Sequence, residues 1–163
     1  TGALPAGDPM TRAQILGAAA VVAAALLGCA TPNAPWHVSG LDATDATRRQ
    51  AADLVEAAKR VTPDEKGWLA QGGMIWLEPD VRGACYVPPP KVPTGCASPQ
   101  AIWVLYPHPV GGYDLALGAL PHELCHLGLA RGGAFGGPLD MATEDQADAC
   151  ALLVRKEAIT NPK

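Results

Sequence analysis

The chain has little basic charge: 12 Lys and Arg stand against 16 Asp and Glu in 163 residues, for a formal net charge of -4. These basic residues are scattered rather than gathered into a stripe that would neutralise a phosphate backbone, which excludes nucleic-acid binding. Long apolar runs are also missing. The run from Ile15 to Leu27 falls well short of the roughly 20 residues that span a bilayer, which argues against a permanent transmembrane helix. No internal repeat divides the sequence. A chain of this length has room for one small domain with one core once any processed segment is removed.

What the N-terminus does contain is ordered like a targeting signal. Met10-Thr11-Arg12 supplies a short positive start, the small-apolar run follows, and Leu26-Leu27-Gly28-Cys29 closes it. That closing sequence resembles the bacterial lipobox, whose cysteine becomes the lipidated first residue of the mature protein. The resemblance implies export to the bacterial cell envelope, with a lipid anchor on Cys29 holding the protein to the outer membrane or the outer face of the cell membrane. Ala30 gives no Asp retention signal. An ordinary signal peptide with an incidental cysteine is the plainer alternative. The expected organisation is upstream residues and signal peptide over 1–28, anchor and tether over 29–41, and a domain over 42–163. Within the tether, Thr31 to Gly40 holds two prolines and little periodicity, and Trp36 and His37 lie there without evident partners.

Four further cysteines, Cys85, Cys96, Cys125 and Cys150, make an even number in a compartment where disulfides persist, and three connectivities are possible. The favoured pairs are Cys85 with Cys96 and Cys125 with Cys150: the first would close the stretch Tyr86 to Gly95, which has too many prolines for a regular ladder. Pairing Cys125 with Cys150 would tie two helices together. Four buried thiols that merely pack are the alternative.

From Asp42 the pattern becomes helical: Ala51, Leu54, Val55, Ala58 and Val61 share a face that Arg48, Arg49, Glu56 and Lys59 avoid. This predicts an amphipathic helix capped by Asp42 or Thr44, ended at Thr62-Pro63 and placed to cover a sheet. Met74 to Glu78 and Ala101 to Tyr106 are β-branched and aromatic runs bounded by Gly and Pro, and read as strands. Pro107 to Gly112 is a turn region. A second helix is expected over Leu115 to Arg131, stopped by Gly132-Gly133, with Pro121 forcing a start or kink into the preceding turn. Gly132 to Pro138 leads to a third helix, opened by Thr143 with Gln146 as capping-box partner and carried by Ala147, Cys150, Ala151 and Val154 to about Ala158.

The second helix contains His122-Glu123-Leu124-Cys125-His126. Residues four apart lie on one face of a helix, so both imidazoles can reach one ion at the short distances zinc requires. Glu123, turned about 100° from His122, sits beside that ion and can hold a water without ligating. Zinc lowers the pKa of such a water to about 7, and a carboxylate can take its proton as it attacks a carbonyl.

The five residues resemble the HExxH motif of the zincin metallopeptidases at every fixed position. The metzincin extension fails, because Leu129 and Gly132 stand where that branch has Gly and His. Glu144-Asp145-Gln146-Ala147-Asp148 instead resembles the downstream ExxxD of the gluzincins, at a separation like that of the compact minigluzincins. The resemblance implies a small zincin-like α+β fold, a short β-sheet packed on an active-site helix and a following ligand helix. It also implies Zn2+ held by His122, His126 and Glu144, Glu123 as general base, and Asp148 accepting the outer N–H of a ligating histidine. Asp145 could replace Glu144 or Asp148. Acids in a first helical turn also suit the helix dipole without any metal.

Cys125 lies about 60° around the helix from His122 and could approach the ion, pair with Cys150 or pack against Leu129. Gluzincins commonly place a His or Tyr downstream to stabilise the oxyanion, and none follows His126 here. His108, Tyr106 or Tyr113, all upstream, would have to serve. The strand Ala101 to Tyr106 could offer an edge to an extended peptide. The expected function is an exported, lipid-anchored zinc metallopeptidase acting on a peptide or protein, with no nucleic-acid partner and an oligomeric state left open. The rival is a surface-anchored binding lipoprotein whose zinc is structural or absent.

Overall fold

Strand and helix periodicities sort the apolar residues onto one side of a small mixed sheet. The computed structural model describes residues 35–133 and 139–162; the expected signal segment, the expected anchor Cys29 and the first part of the expected tether lie outside them. Along the described residues run β1 (Trp36–Ser39), α1 (Asp45–Val61), α2 (Trp68–Gln71), β2 (Gly73–Glu78), β3 (Gly95–Ser98), β4 (Ala101–Leu105), α3 (Leu120–Leu129), β5 (Arg131–Gly132), β6 (Leu139–Asp140) and α4 (Glu144–Thr160). The class is α+β. The main sheet has the order β1-β2-β4-β3, with β1, β2 and β4 parallel and β3 antiparallel to β4, while β5 and β6 form a separate ribbon.

Side chains alternate across a strand. Ile75 and Leu77 of β2 are therefore in register with Ile102 and Val104 of β4, and all four turn to the same buried face. They share one core with Leu54, Val55 and Ala58 of α1, Leu120, Leu124 and Leu127 of α3, and Ala147, Ala151 and Val154 of α4. At roughly 25 cal/mol per Å² of apolar surface removed from water, this cluster is what holds the layers together. The first helix, expected to cover the sheet, packs chiefly on α3 and α4. Its N-cap is Thr44, whose side chain accepts from the Thr47 N–H, and Thr62 ends it. Thr143 and Gln146 form the expected capping box at the start of α4.

Several boundaries differ from the sequence reading. Trp36–Ser39, expected in the tether, is an edge strand paired with β2, and Trp36 Nε1–H donates to the Leu69 carbonyl at 3.0 Å; His37 on the same strand is exposed. The helix expected from Leu115 begins at Leu120, with Pro121 in its first turn. A proline there would clash with the carbonyl of residue 117 in any helix begun a turn earlier, and Asp114 Oδ1 instead accepts from the Ala116 N–H at 2.9 Å to close a turn. The helix also stops before Gly132, because Ala130 is extended and the chain enters β5. The short α2 and β3 had no periodicity long enough to read.

Both favoured disulfides are present, Cys85–Cys96 and Cys125–Cys150. The first pins β3 to the Pro-rich loop. The second joins α3 to α4. Among the described residues no helix is long and apolar enough to cross a membrane.

Candidate metal centre

The site begins with the burial of α3. Leu120, Leu124 and Leu127 anchor one side of this helix in the core with no measurable exposure, which turns His122 and His126 together toward a cavity of about 570 Å³. Their Nε2 atoms stand 2.9 Å apart. Two nitrogens bound to a tetrahedral zinc at roughly 2.0–2.1 Å each would sit about 3.3 Å apart, a few tenths of an ångström wider than this. The third group comes from the first turn of α4: Glu144 Oε2 lies 3.2 Å from His122 Nε2, and its Oε1 lies 3.6 Å from His126 Nε2. One ligand atom from each of His122, His126 and Glu144 falls within 4.8 Å of the others, and the three can hold a metal ion.

Tautomers support that capacity. Asp148, one turn along α4 from Glu144, places Oδ1 2.8 Å from His122 Nδ1. A carboxylate in that position accepts from Nδ1–H and would leave the Nε2 lone pair free to bind an ion. His126 makes a hydrogen bond to the backbone of Ala142. Burial first, then the neighbouring His122 ring, push the His126 pKa below its ordinary value, so its neutral, ligating form prevails at neutral pH. Asp145, the other acid of the segment, is outside the metal group.

Glu123 is the buried acid of the cavity wall, with 7% of its surface exposed. Burial, and secondarily the charge of Glu144, push its pKa up to about 8. Its neighbour across the cavity is β3, the terminal strand of the sheet. A methyl group on Gly95 of that strand would come within 3.0 Å of Glu123 Oε1 and of Ala119 Cβ. Glycine at 95 therefore lets the strand lie directly against the carboxyl group. Thr94, Gly95, Cys96 and Ala97 line the cavity together with His122, Glu123 and His126. The strand edge beside the site is thus β3; β4, expected to offer it, is enclosed between β2 and β3.

The remaining expectations divide cleanly. Cys125 is in the disulfide with Cys150 and so is not a metal ligand. Tyr106 is buried, its hydroxyl engaged with Thr47 and the Tyr113 carbonyl at 3.4 and 3.1 Å, and both tyrosines line a different depression beside α1. Of the three upstream candidates only His108 reaches the cavity. Arg155 also lines it and was missed in the sequence. A signal existed, since Arg155 lies about two helical turns beyond Asp148 and about three beyond Glu144, on the same stripe of α4. No family model, curated protein or solved structure matches the chain.

Proposed function

We propose that the domain is a zinc-dependent peptidase of the gluzincin type, with His122, His126 and Glu144 as metal ligands and Glu123 as general base. The observation that carries this reading is the convergence of two Nε2 atoms and one carboxylate, from two helices, beside a buried glutamate in an open cavity. Two imidazoles and a carboxylate are a donor set that suits zinc and leaves a position open for substrate. When bound, zinc activates a water and polarises a carbonyl.

The chain's own residues supply the rest. Burial is the larger obstacle to ionisation of Glu123 and the Glu144 charge the lesser; a divalent cation held by Glu144 would cancel the second and favour the carboxylate against the first. The carboxylate of Glu123 then takes a proton from the attacking water and passes it to the departing amine nitrogen. Asp148 holds the His122 ring in its ligating tautomer. An extended peptide adding to the outer edge of β3 would run past the metal group, with main-chain hydrogen bonds fixing its register.

The rival, a binding module with a structural metal, needs a closed coordination shell. Cys125 is taken by a disulfide and Asp148 Oδ1 by His122, and no fourth protein ligand joins the group among the described residues. Both observations favour the enzyme. The proposal includes export and a lipid anchor on Cys29, for which the two disulfides are compatible support.

Hydrolysis of a mixed-sequence peptide library, read by mass spectrometry, tests the activity. Zinc-loaded wild type should cleave it, and Glu123→Gln with equal zinc should be slower by about 10²–10⁴-fold. Equal cleavage by the two proteins, or none by zinc-loaded wild type, would remove the peptidase reading.

A further inference from the structure

The cavity has a second pole that the proposed hydrolysis leaves unused. Arg155 leans from α4 across to the chain before α3, where Nη2–H donates to the Gly118 carbonyl at 3.4 Å. Its Nε is buried and has no hydrogen-bond partner, and no carboxylate pairs with it among the described residues. His108, in the turn after β4, packs on the same glycine: an added Cβ at Gly118 would lie 3.5 Å from His108 Cβ. His108 Nδ1 accepts from the Val110 and Gly111 N–H groups, each at 3.2 Å. An imidazole that accepts at Nδ1 carries its proton on Nε2, so His108 offers a donor there.

Two donor groups, the Arg155 guanidinium and His108 Nε2–H, therefore come from side chains that meet at Gly118 on the wall of the cavity lined by the metal group. Burial and the nearby Arg155 charge both lower the His108 pKa, consistent with a shared, partly desolvated pocket. A guanidinium with a buried, unmatched N–H is costly unless an acceptor arrives. The planar acceptor that fits a guanidinium fork is a carboxylate. Arg155 and Glu144, the acid of the metal group on the same helix, are separated by roughly 16 Å along α4, a span that about five residues of extended peptide cover at roughly 3.3 Å each.

We propose that Arg155 and His108 form a carboxylate-binding subsite that selects peptides carrying a carboxylate within about five residues of the cleaved bond. The inference rests on the peptidase reading for the identity of the ligand, but not for the subsite itself. The carboxylate is either the substrate's C-terminus or an acidic side chain.

Calorimetry on full-length Glu123→Gln protein, with and without zinc, distinguishes the sources. The probes are acetyl-tetra-alanine with a free C-terminus, the same peptide as its C-terminal amide, and acetyl-Ala-Ala-Ala-Glu amide. At least one carboxylate peptide should bind tenfold or more tightly than the neutral amide. That preference should fall to within twofold in Arg155→Gln, persist in part in Arg155→Lys, and weaken in His108→Ala, with melting temperatures showing that each variant is folded. Preference for the free terminus identifies a C-terminal subsite, and preference for the glutamyl amide a side-chain subsite; either supports the proposal. Equal binding of all three peptides, no binding of any, or a preference that survives Arg155→Gln would overturn it. A protein that takes up no zinc yet keeps an Arg155-dependent preference would fail as a peptidase while retaining the subsite. One that cleaves peptides with no such preference would do the reverse.

Discussion

The two helices that meet at the candidate metal site contribute their side chains in opposite ways. On α3 the histidines line the cavity from a helix anchored in the core, with side chains only 18% and 14% exposed, whereas Glu144 and Asp148 on α4 are 76% and 75% exposed. One half of the site is held by packing that the whole domain needs. The other half is two acids in the first turns of a capped helix, which the fold itself does not require. A binding-competent site therefore depends on the register between a buried helix and an exposed helix start. The Cys125–Cys150 disulfide fixes that register, because it leaves α3 between the two histidines and enters α4 shortly after Asp148.

The sharpest break in this comparison is Glu144→Ala. Zinc sites in small domains supply roughly 10–16 kcal/mol, so losing one of three ligands should cost about 4 kcal/mol, near a thousandfold in affinity. The melting temperature of the metal-free protein should stay nearly unchanged, since an exposed side chain leaves the core intact. Competition with a chelating dye measures the first effect and calorimetric melting the second.

Removing the tie should affect both halves. Replacing Cys125 and Cys150 together with serine should destabilise the fold by about 3 kcal/mol and weaken zinc binding as well, because Glu144 is no longer held against the histidines. Denaturant titration with and without zinc reads both. A fold penalty with unchanged zinc affinity would show that packing alone sets the register.

Asp148→Asn is a gentler test of the exposed half. It should weaken zinc binding by about 10–100-fold while leaving stoichiometry intact. The same chelator competition measures it.

A separate effect is electrostatic and belongs to the metal-free protein. The pKa of Glu123 is raised from 4.5 to about 8, so the folded state binds its proton more tightly than the unfolded state does. Stability from this group is fully present below about 4.5 and is lost as pH rises through about 8. Metal-free wild type should therefore melt at progressively lower temperature across that range, and Glu123→Gln should flatten this part of the profile. Thermal melts from pH 4 to 9 in the presence of a chelator check the sign.

Much of this arrangement was legible in the sequence because its signals are local. Pro121, Thr143 with Gln146, and the spacing of His122 with His126 act within one or two helical turns, and each left a pattern in adjacent residues. The Glu144 and Asp148 pair stands out through its resemblance to the gluzincin ExxxD spacing, and loop composition and helix placement favour the two observed disulfides among three possible connectivities. Trp36–Ser39 was misread because a four-residue parallel strand is decided by its partner β2, far away in sequence, and not by its own periodicity. For the same reason β3 passed as loop and the sheet edge was assigned to β4. Arg155 escaped notice since its partners, Gly118 and His108, come from other segments that only the fold brings together.

Metal content is the most direct test of the central claim. Elemental analysis of wild type, Glu123→Gln and Glu144→Ala, each exposed to zinc and then desalted, should find one zinc per chain in the first two and little in the third. That pattern would place Glu144 among the ligands and leave Glu123 to act as a base. No zinc in the wild type, or retention of zinc by Glu144→Ala with loss from Glu123→Gln, would contradict the account.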